Sequence, residues 1–254
     1  MDCGLNVTLL PDERLDRVNE KIILIQKKDG LTFGTDAFLL AAFTKGNRKL
    51  RAAELGCGTG IISLLCAARN KFAHIDAFEI HPAFADIAER NTALNGLDGQ
   101  ISVKQVDIRL ITSADTGGEV DIVFANPPYM RTDSGRRNDS EAKYIARHEV
   151  CGNIADFCSA AGRLLKHGGK FYCVFRPDRL TELICALSAN RLAPKVLTFV
   201  HSRTGDEPSA VLVSASKGGA PALKVTAPLF IYKGETGTQM SDRAAKIYDT
   251  MSFD

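Results

Sequence analysis

Every second residue from 56 to 60 is glycine, in the run Glu54-Leu55-Gly56-Cys57-Gly58-Thr59-Gly60-Ile61-Ile62, which joins a strand-like stretch to a helix-like one. This feature narrows the possible folds most. Glycine admits backbone angles closed to other residues and lets a ligand approach the main chain, just outside the carboxyl end of a first strand in an open parallel sheet. The rest of the chain keeps the same rhythm. From about residue 50 onward, short β-branched and aromatic runs alternate with stretches of helical period, which predicts βαβ units. Strands are expected at Leu50–Leu55, His74–Ile80, Ile101–Asp107, Val120–Ala125, Lys170–Phe175, Lys195–His201 and Ala210–Ser216. Helices are expected at Thr59–Arg69, Pro82–Asn95, Glu141–Lys166 and Pro177–Asn190. Ser202–Ser209 is too short and polar to cross over a sheet, so the last strand should run in reverse, at an edge. The fold class is therefore α/β: a Rossmann-like, seven-stranded, mostly parallel sheet with one antiparallel edge strand and helices on both faces.

The flanks carry weaker signals. Asp16–Leu31 holds the run Lys21-Ile22-Ile23-Leu24-Ile25-Gln26 and the turn signal Lys28-Asp29-Gly30, which suggests a hairpin leading into an apolar helix at Asp36–Phe43. Leu223–Tyr232 reads as a strand pair broken at Pro228, and Gln239–Met251 as a terminal helix. No linker divides them, so residues 1–254 are expected to form a single domain: an N-terminal flank 1–49, a core 50–216 and a C-terminal flank 217–254. No apolar run approaches the roughly 18 to 20 residues that cross a bilayer, and Met1-Asp2-Cys3-Gly4 lacks the plan of a secretory signal, so a cytoplasmic protein is expected. The seven cysteines form no Cys-x-x-Cys pair and no histidine stands near two of them, which argues against a metal site. With 32 Lys+Arg against 30 Asp+Glu, a coat of polyanion over the whole surface is disfavoured, while a local nucleic-acid patch stays open.

The glycine run alone could be a tight strand–helix turn with no ligand. A nicotinamide dinucleotide fingerprint would need glycine where Ile61 stands. A pyrophosphate favours a clean helix N-terminus, whereas an amino-acid ammonium group favours a nearby carboxylate, and Glu54 suits the second. Nineteen residues past Gly60 the second strand ends in Phe78-Glu79-Ile80, and the third ends in Val106-Asp107-Ile108. Glu79 can accept from both hydroxyls of a ribose, and Asp107 from the exocyclic amine of an adenine. An adenosine carrying an amino acid, S-adenosylmethionine, fits three acids in register. The cofactor candidates are Glu54, Gly56, Gly58, Gly60, Glu79 and Asp107 with their neighbours Cys57, Ile80 and Ile108, together with Asn126 beyond the fourth strand.

That fourth strand runs into Asn126-Pro127-Pro128-Tyr129. Two prolines remove two backbone donors and stiffen the loop, leaving carbonyls free to accept. The Asn126 side-chain oxygen and the Pro127 carbonyl could draw both hydrogens of a conjugated amine out of plane and aim its lone pair, while Tyr129 offers a flat face to the ring. Asn126, Pro127, Pro128 and Tyr129 are the catalytic candidates; a rigid proline turn that merely caps the strand is the plain alternative.

With both motifs in place, the chain resembles the Rossmann-like S-adenosylmethionine-dependent methyltransferases, and within them the bacterial tRNA1(Val) (adenine(37)-N6)-methyltransferase family. The likeness rests on Asp12-Glu13-Arg14-Leu15-Asp16 with Ile23-Leu24-Ile25-Gln26, on Phe33-Gly34-Thr35-Asp36-Ala37-Phe38-Leu39-Leu40-Ala41, on Asn126 to Tyr129 and on Ala146-Arg147-His148-Glu149. It extends through Arg176-Pro177-Asp178-Arg179-Leu180 to Ile247-Tyr248, and departs where Gly237-Thr238-Gln239-Met240 lacks an acid before the methionine. The resemblance implies N6-methylation of an unpaired anticodon-loop adenine, with tRNA as partner; no metal is expected, and no obligate protein partner is evident. It also implies that Thr35 approaches the methionine end of the cofactor, although helix capping by Thr35 or Asp36 would explain both residues. Arg131, Arg136, Arg137, Lys143 and Arg147 follow the fourth strand and could bind phosphates, or form a solvated loop diluted by its acids. Alternatives are a glutamine-N5 methyltransferase of release factors, whose helical leading domain the 50 residues before the sheet do not match, and a methyltransferase of rRNA or DNA base amines. A binding protein without activity, an RNA chaperone or assembly factor, would not need Asn126 and Tyr129.

Overall fold

The computed structural model describes residues 8–28, 34–128 and 152–253. In chain order the elements are β1 (Glu13–Arg17), β2 (Ile23–Lys27), α1 (Thr35–Phe43), β3 (Arg51–Leu55), α2 (Ile61–Ala67), β4 (His74–Glu79), α3 (Pro82–Leu94), β5 (Ile101–Gln105) and β6 (Val120–Ala125). Then come α4 (Ile154–Leu164), β7 (Leu165–Phe175), α5 (Leu180–Ala189), β8 (Leu192–His201), β9 (Pro208–Lys217), β10 (Lys224–Val225), β11 (Leu229–Phe230) and α6 (Asp242–Thr250). The main sheet has the order β10-β8-β9-β7-β6-β3-β4-β5, with β11 also on β8. All seven expected strands are present, and the fold is Rossmann-like.

Two features of the sheet differ from expectation. Among the described residues it holds nine strands, because β10 and β11 each pair in parallel with β8 instead of with each other. They border its outer side in turn, with Pro228, which has no N–H to donate, in the gap between them. The reversed strand is also not at an edge. β9 lies between β7 and β8 and pairs antiparallel with both. Helix α5 carries the chain one place beyond β7's neighbour position, and the short link after β8 folds β9 back into the gap. Its residues face apolar cores on both sides, Ala210 and Leu212 one and Val211, Val213 and Ala215 the other, as an interior strand requires.

One core packs α1, α2 and α6 on one face through Leu39, Leu40, Leu64, Leu65 and Ile247. The other packs α4 and α5 through Phe157, Leu164, Leu183 and Leu187. The sequence places a single helix over Glu141–Lys166; its described part starts at Ile154, capped by Asn153, whose side chain accepts from the N–H groups of Ala155 and Asp156. The chain passes directly into β7 at Leu165, earlier than expected.

The N-terminal hairpin, β1 paired antiparallel with β2, turns at residues 18–22. Asn19 Oδ1 accepts from the N–H groups of Lys21 and Ile22, at 2.8 and 3.0 Å, so a side chain closes the turn and the Lys28-Asp29-Gly30 signal is not the hairpin's own. Glu13, its side chain fully buried, accepts from both terminal nitrogens of Arg90 on α3 at 2.9 and 2.8 Å. That guanidinium holds the Glu13 carboxyl down at about 2 and locks the hairpin against the sheet's helix layer. Among the described residues no helix is long and apolar enough to cross a membrane.

Candidate active site

Parallel pairing sets the carboxyl ends of β6, β3, β4 and β5 side by side. In that register Leu55 lies opposite both Ala125 and Phe78, so Gly56, leaving β3, is level with Asn126, leaving β6. The loop between β3 and α2 is stitched to its neighbours. The Cys57 N–H donates to the Phe78 carbonyl at 2.9 Å, and the Gly60 N–H donates to Cys57 at 2.8 Å. Gly56, Gly58 and Gly60 have φ of +67°, +55° and +82°. A side chain on Gly56 would press on Phe157 and one on Gly60 on Ala88, whereas a Cβ on Gly58 meets nothing within 4 Å. Gly58 therefore turns an open, side-chain-free backbone outward, a cradle for a ligand.

Glu79, 5% exposed, spans two turns: Oε2 accepts from the Gly58 N–H at 2.8 Å and Oε1 from the His81 N–H at 2.9 Å. Each oxygen keeps a further lone pair for a ligand hydroxyl. Glu54, 1% exposed, accepts through Oε2 from the Ser63 N–H at 3.0 Å and from the Ser63 hydroxyl. Burial pushes the Glu54 carboxyl up to about 8, against the pull of the Ser63 donors and with a small push from Glu79. Its other oxygen has no partner among the described residues. Asp107 sits two residues past the end of β5, on a loop and not on the strand tip as expected. Its carboxylate accepts from the Arg109 backbone and guanidinium, chiefly the latter, which lowers its pKa and keeps it ionised.

The remaining candidates divide clearly. Cys57 is buried, and burial raises its thiol well above the usual range, so it is a neutral wall of the loop. Ile80 is half-buried beside Glu79, while Ile108 is packed into the core on the α4 side. Thr35 is the first residue of α1 and does not cap it; Gly34 holds the cap position with no side-chain bond. Thr35 is instead hydrogen-bonded to Tyr248 of α6, whose ring stacks on Phe38 at 5.3 Å. Asn126 is half-buried, Pro127 buried and Pro128 half-buried. Tyr129, Arg131, Arg136, Arg137, Lys143, Arg147 and His148 lie outside the described residues. No group of three or more His, Cys, Asp or Glu among the described residues could hold a metal ion.

A cavity of about 600 Å³ opens at the same edge, one strand beyond Asn126, between Asp36 of α1, Phe175 and Arg176 at the end of β7, and Pro208 and Ser209 at the start of β9. Sequence reasoning does not find this wall, because its three segments are far apart in the chain. Asp36 and the run from Arg176 to Leu180 carry a signal, and that by family likeness; the start of β9 carries none.

The chain has a Rossmann-like fold with an interior reversed strand and carboxylates buried behind a loop that lacks the third dinucleotide glycine. The methyltransferase small domain family matches residues 27–184. A tRNA1(Val) (adenine(37)-N6)-methyltransferase from Phocaeicola vulgatus is 32% identical over 181 residues, covering 71% of this chain and 75% of the relative. The chain belongs to the methyltransferase small domain family and, within it, to the tRNA1(Val) (adenine(37)-N6)-methyltransferases. Solved structures agree on the fold. A predicted O-methyltransferase from Agrobacterium tumefaciens superposes with a TM-score of 0.70 at 24% identity, covering 86% of this chain and 97% of its own. A geranyl diphosphate C-methyltransferase from Streptomyces coelicolor, in complex with S-adenosyl-L-homocysteine, superposes at 0.51 with 15% identity, covering 71% and 78%.

Proposed function

We propose that the protein transfers a methyl group from S-adenosylmethionine to the N6 amine of adenine 37 in tRNA1(Val). The observation that carries the reading is the register of β3 and β6, which sets Asn126 beside the start of the glycine loop. The residues fit the cofactor: Gly58 leaves an open backbone cradle, Glu54 keeps a buried oxygen for an ammonium group, and Glu79 and Asp107 accept from hydroxyl and amine groups. When bound, S-adenosylmethionine supplies an electrophilic methyl group on a sulfonium. Asn126 and the Pro127 carbonyl accept from the substrate amine and direct its lone pair, and Tyr129 stacks on the base. The rate enhancement comes from positioning and fixed dipoles, so the site needs no strong general base. Arg131, Arg136, Arg137, Lys143 and Arg147 would bind phosphates beside the adenine. An anticodon-loop adenine is already unpaired, so presenting it costs only unstacking, at most a few kcal/mol.

The test is transfer of labelled methyl groups to total tRNA, total rRNA or release factor, followed by nucleoside analysis. N6-methyladenosine in tRNA is expected; label on protein alone rejects the reading.

Glu54 adds a pH signature. Its folded pKa of about 8 exceeds the ordinary 4.5, so the native state holds the extra proton, and this residue's contribution to stability falls as pH rises from 4.5 to 8. An opposite charge beside a carboxyl favours its ionised form. Near pH 7, Glu54 therefore gives up close to one proton when an ammonium group arrives. Calorimetry of S-adenosylhomocysteine binding in buffers of different ionisation heat should show this release, and Glu54→Gln should remove it.

A further inference from the structure

We propose that Asn91 is a positioning residue that couples the N-terminal hairpin to the cofactor loop. The inference rests on the cofactor reading above. Asn91 on α3 and Asn95 at its C-cap stand one turn apart, and both reach β2. Each side-chain amide pairs reciprocally with one β2 residue, as a neighbouring strand would. Asn95 accepts from the Ile23 N–H at 3.0 Å and donates to the Ile23 carbonyl at 2.8 Å. Asn91 accepts from the Ile25 N–H at 2.6 Å and donates to the Ile25 carbonyl at 3.1 Å.

The two differ in one respect. Asn91, with no exposed surface, also donates to the carbonyl of Thr59 at 3.0 Å, inside the glycine loop between Gly58 and Gly60. Both of its amide hydrogens are thereby used, one on the hairpin and one on the loop. The Thr59 carbonyl orients the Thr59–Gly60 peptide, next to the Gly58 backbone that forms the open cradle. A shift of β2 is therefore felt in the loop through a single buried side chain, and an occupied loop steadies β2 in return.

Asn95 supplies a matched control, since it holds the hairpin equally and does not touch the loop. Asn91→Asp keeps the acceptor for Ile25 and sets a carboxylate against two carbonyls, whereas Asn95→Asp does so on the hairpin and on its own helix backbone only. We expect S-adenosylhomocysteine affinity to fall more than tenfold in Asn91→Asp and to stay within twofold in Asn95→Asp, with hairpin amide exchange accelerated in both. Equal affinity changes, or none, would reduce Asn91 to a structural residue. A measurement on the unaltered protein keeps the question open to refutation should Asn91→Asp not fold. The Ile25 amide should exchange more slowly once S-adenosylhomocysteine is added, and an unchanged rate would overturn the coupling. Failure of the unaltered protein to bind the ligand would instead remove the cofactor reading itself, and the coupling with it.

Discussion

Asn126→Ala is expected to lower kcat by about 10²- to 10³-fold, the usual effect of removing one preorganised polar group from a reacting centre. Affinity for S-adenosylhomocysteine should change by less than about tenfold, one step of 1.4 kcal/mol. The separation follows from the geometry. Asn126 leaves β6 level with Gly56, and the loop is held in place by the Cys57 backbone, Glu79 and Asn91. Single-turnover rates and calorimetry on the same preparation read the two quantities. Undiminished turnover would remove Asn126 from the chemistry, and lost binding with normal stability would make it a cofactor residue foremost.

The second large effect is expected at Gly58. Gly58→Val puts a β-branched residue at φ +55°, a conformation that costs about 1–2 kcal/mol for an L-residue. Its Cβ meets no protein atom within 4 Å, so the fold should tolerate it. The added isopropyl group then fills the open side of the loop, and affinity for S-adenosylhomocysteine should fall by about 10²-fold, equivalent to about 2.7 kcal/mol. Gly96 provides the comparison: it too has positive φ, +65°, with nothing within 4 Å, but lies after α3, at the opposite end of the sheet. Gly96→Val should lower thermal stability to a similar degree and leave binding unchanged. Equal affinities in the two variants would show that the loop's open face is not where the ligand lies.

The strand set and the two site motifs were legible because their signals are local. Glu54 and Glu79 interrupt apolar strand ends, and a diproline directly after a buried strand stands out in the sequence. What escaped was long-range. Chain order makes β9 the last core strand, but says nothing of the gap that α5 leaves for it between β7 and β8. The Lys28-Asp29-Gly30 signal misplaces the hairpin turn, because a single side chain, Asn19, closes it. Asp107 reads as a strand-end acceptor, whereas β5 stops at Gln105 and Arg109, two residues beyond Asp107, engages the carboxylate. Asn91 was illegible in principle. An asparagine inside a helix reads as a neutral surface residue until the fold brings β2 and Thr59 to it.

Titration calorimetry of the purified protein with S-adenosylhomocysteine goes most directly to the claim that the ends of β3, β4 and β5 form a nucleoside and amino-acid site. One equivalent should bind, with affinity reduced at least tenfold by Glu79→Ala, which removes the acceptor for a ribose. No detectable binding, or binding indifferent to Glu79, would contradict it.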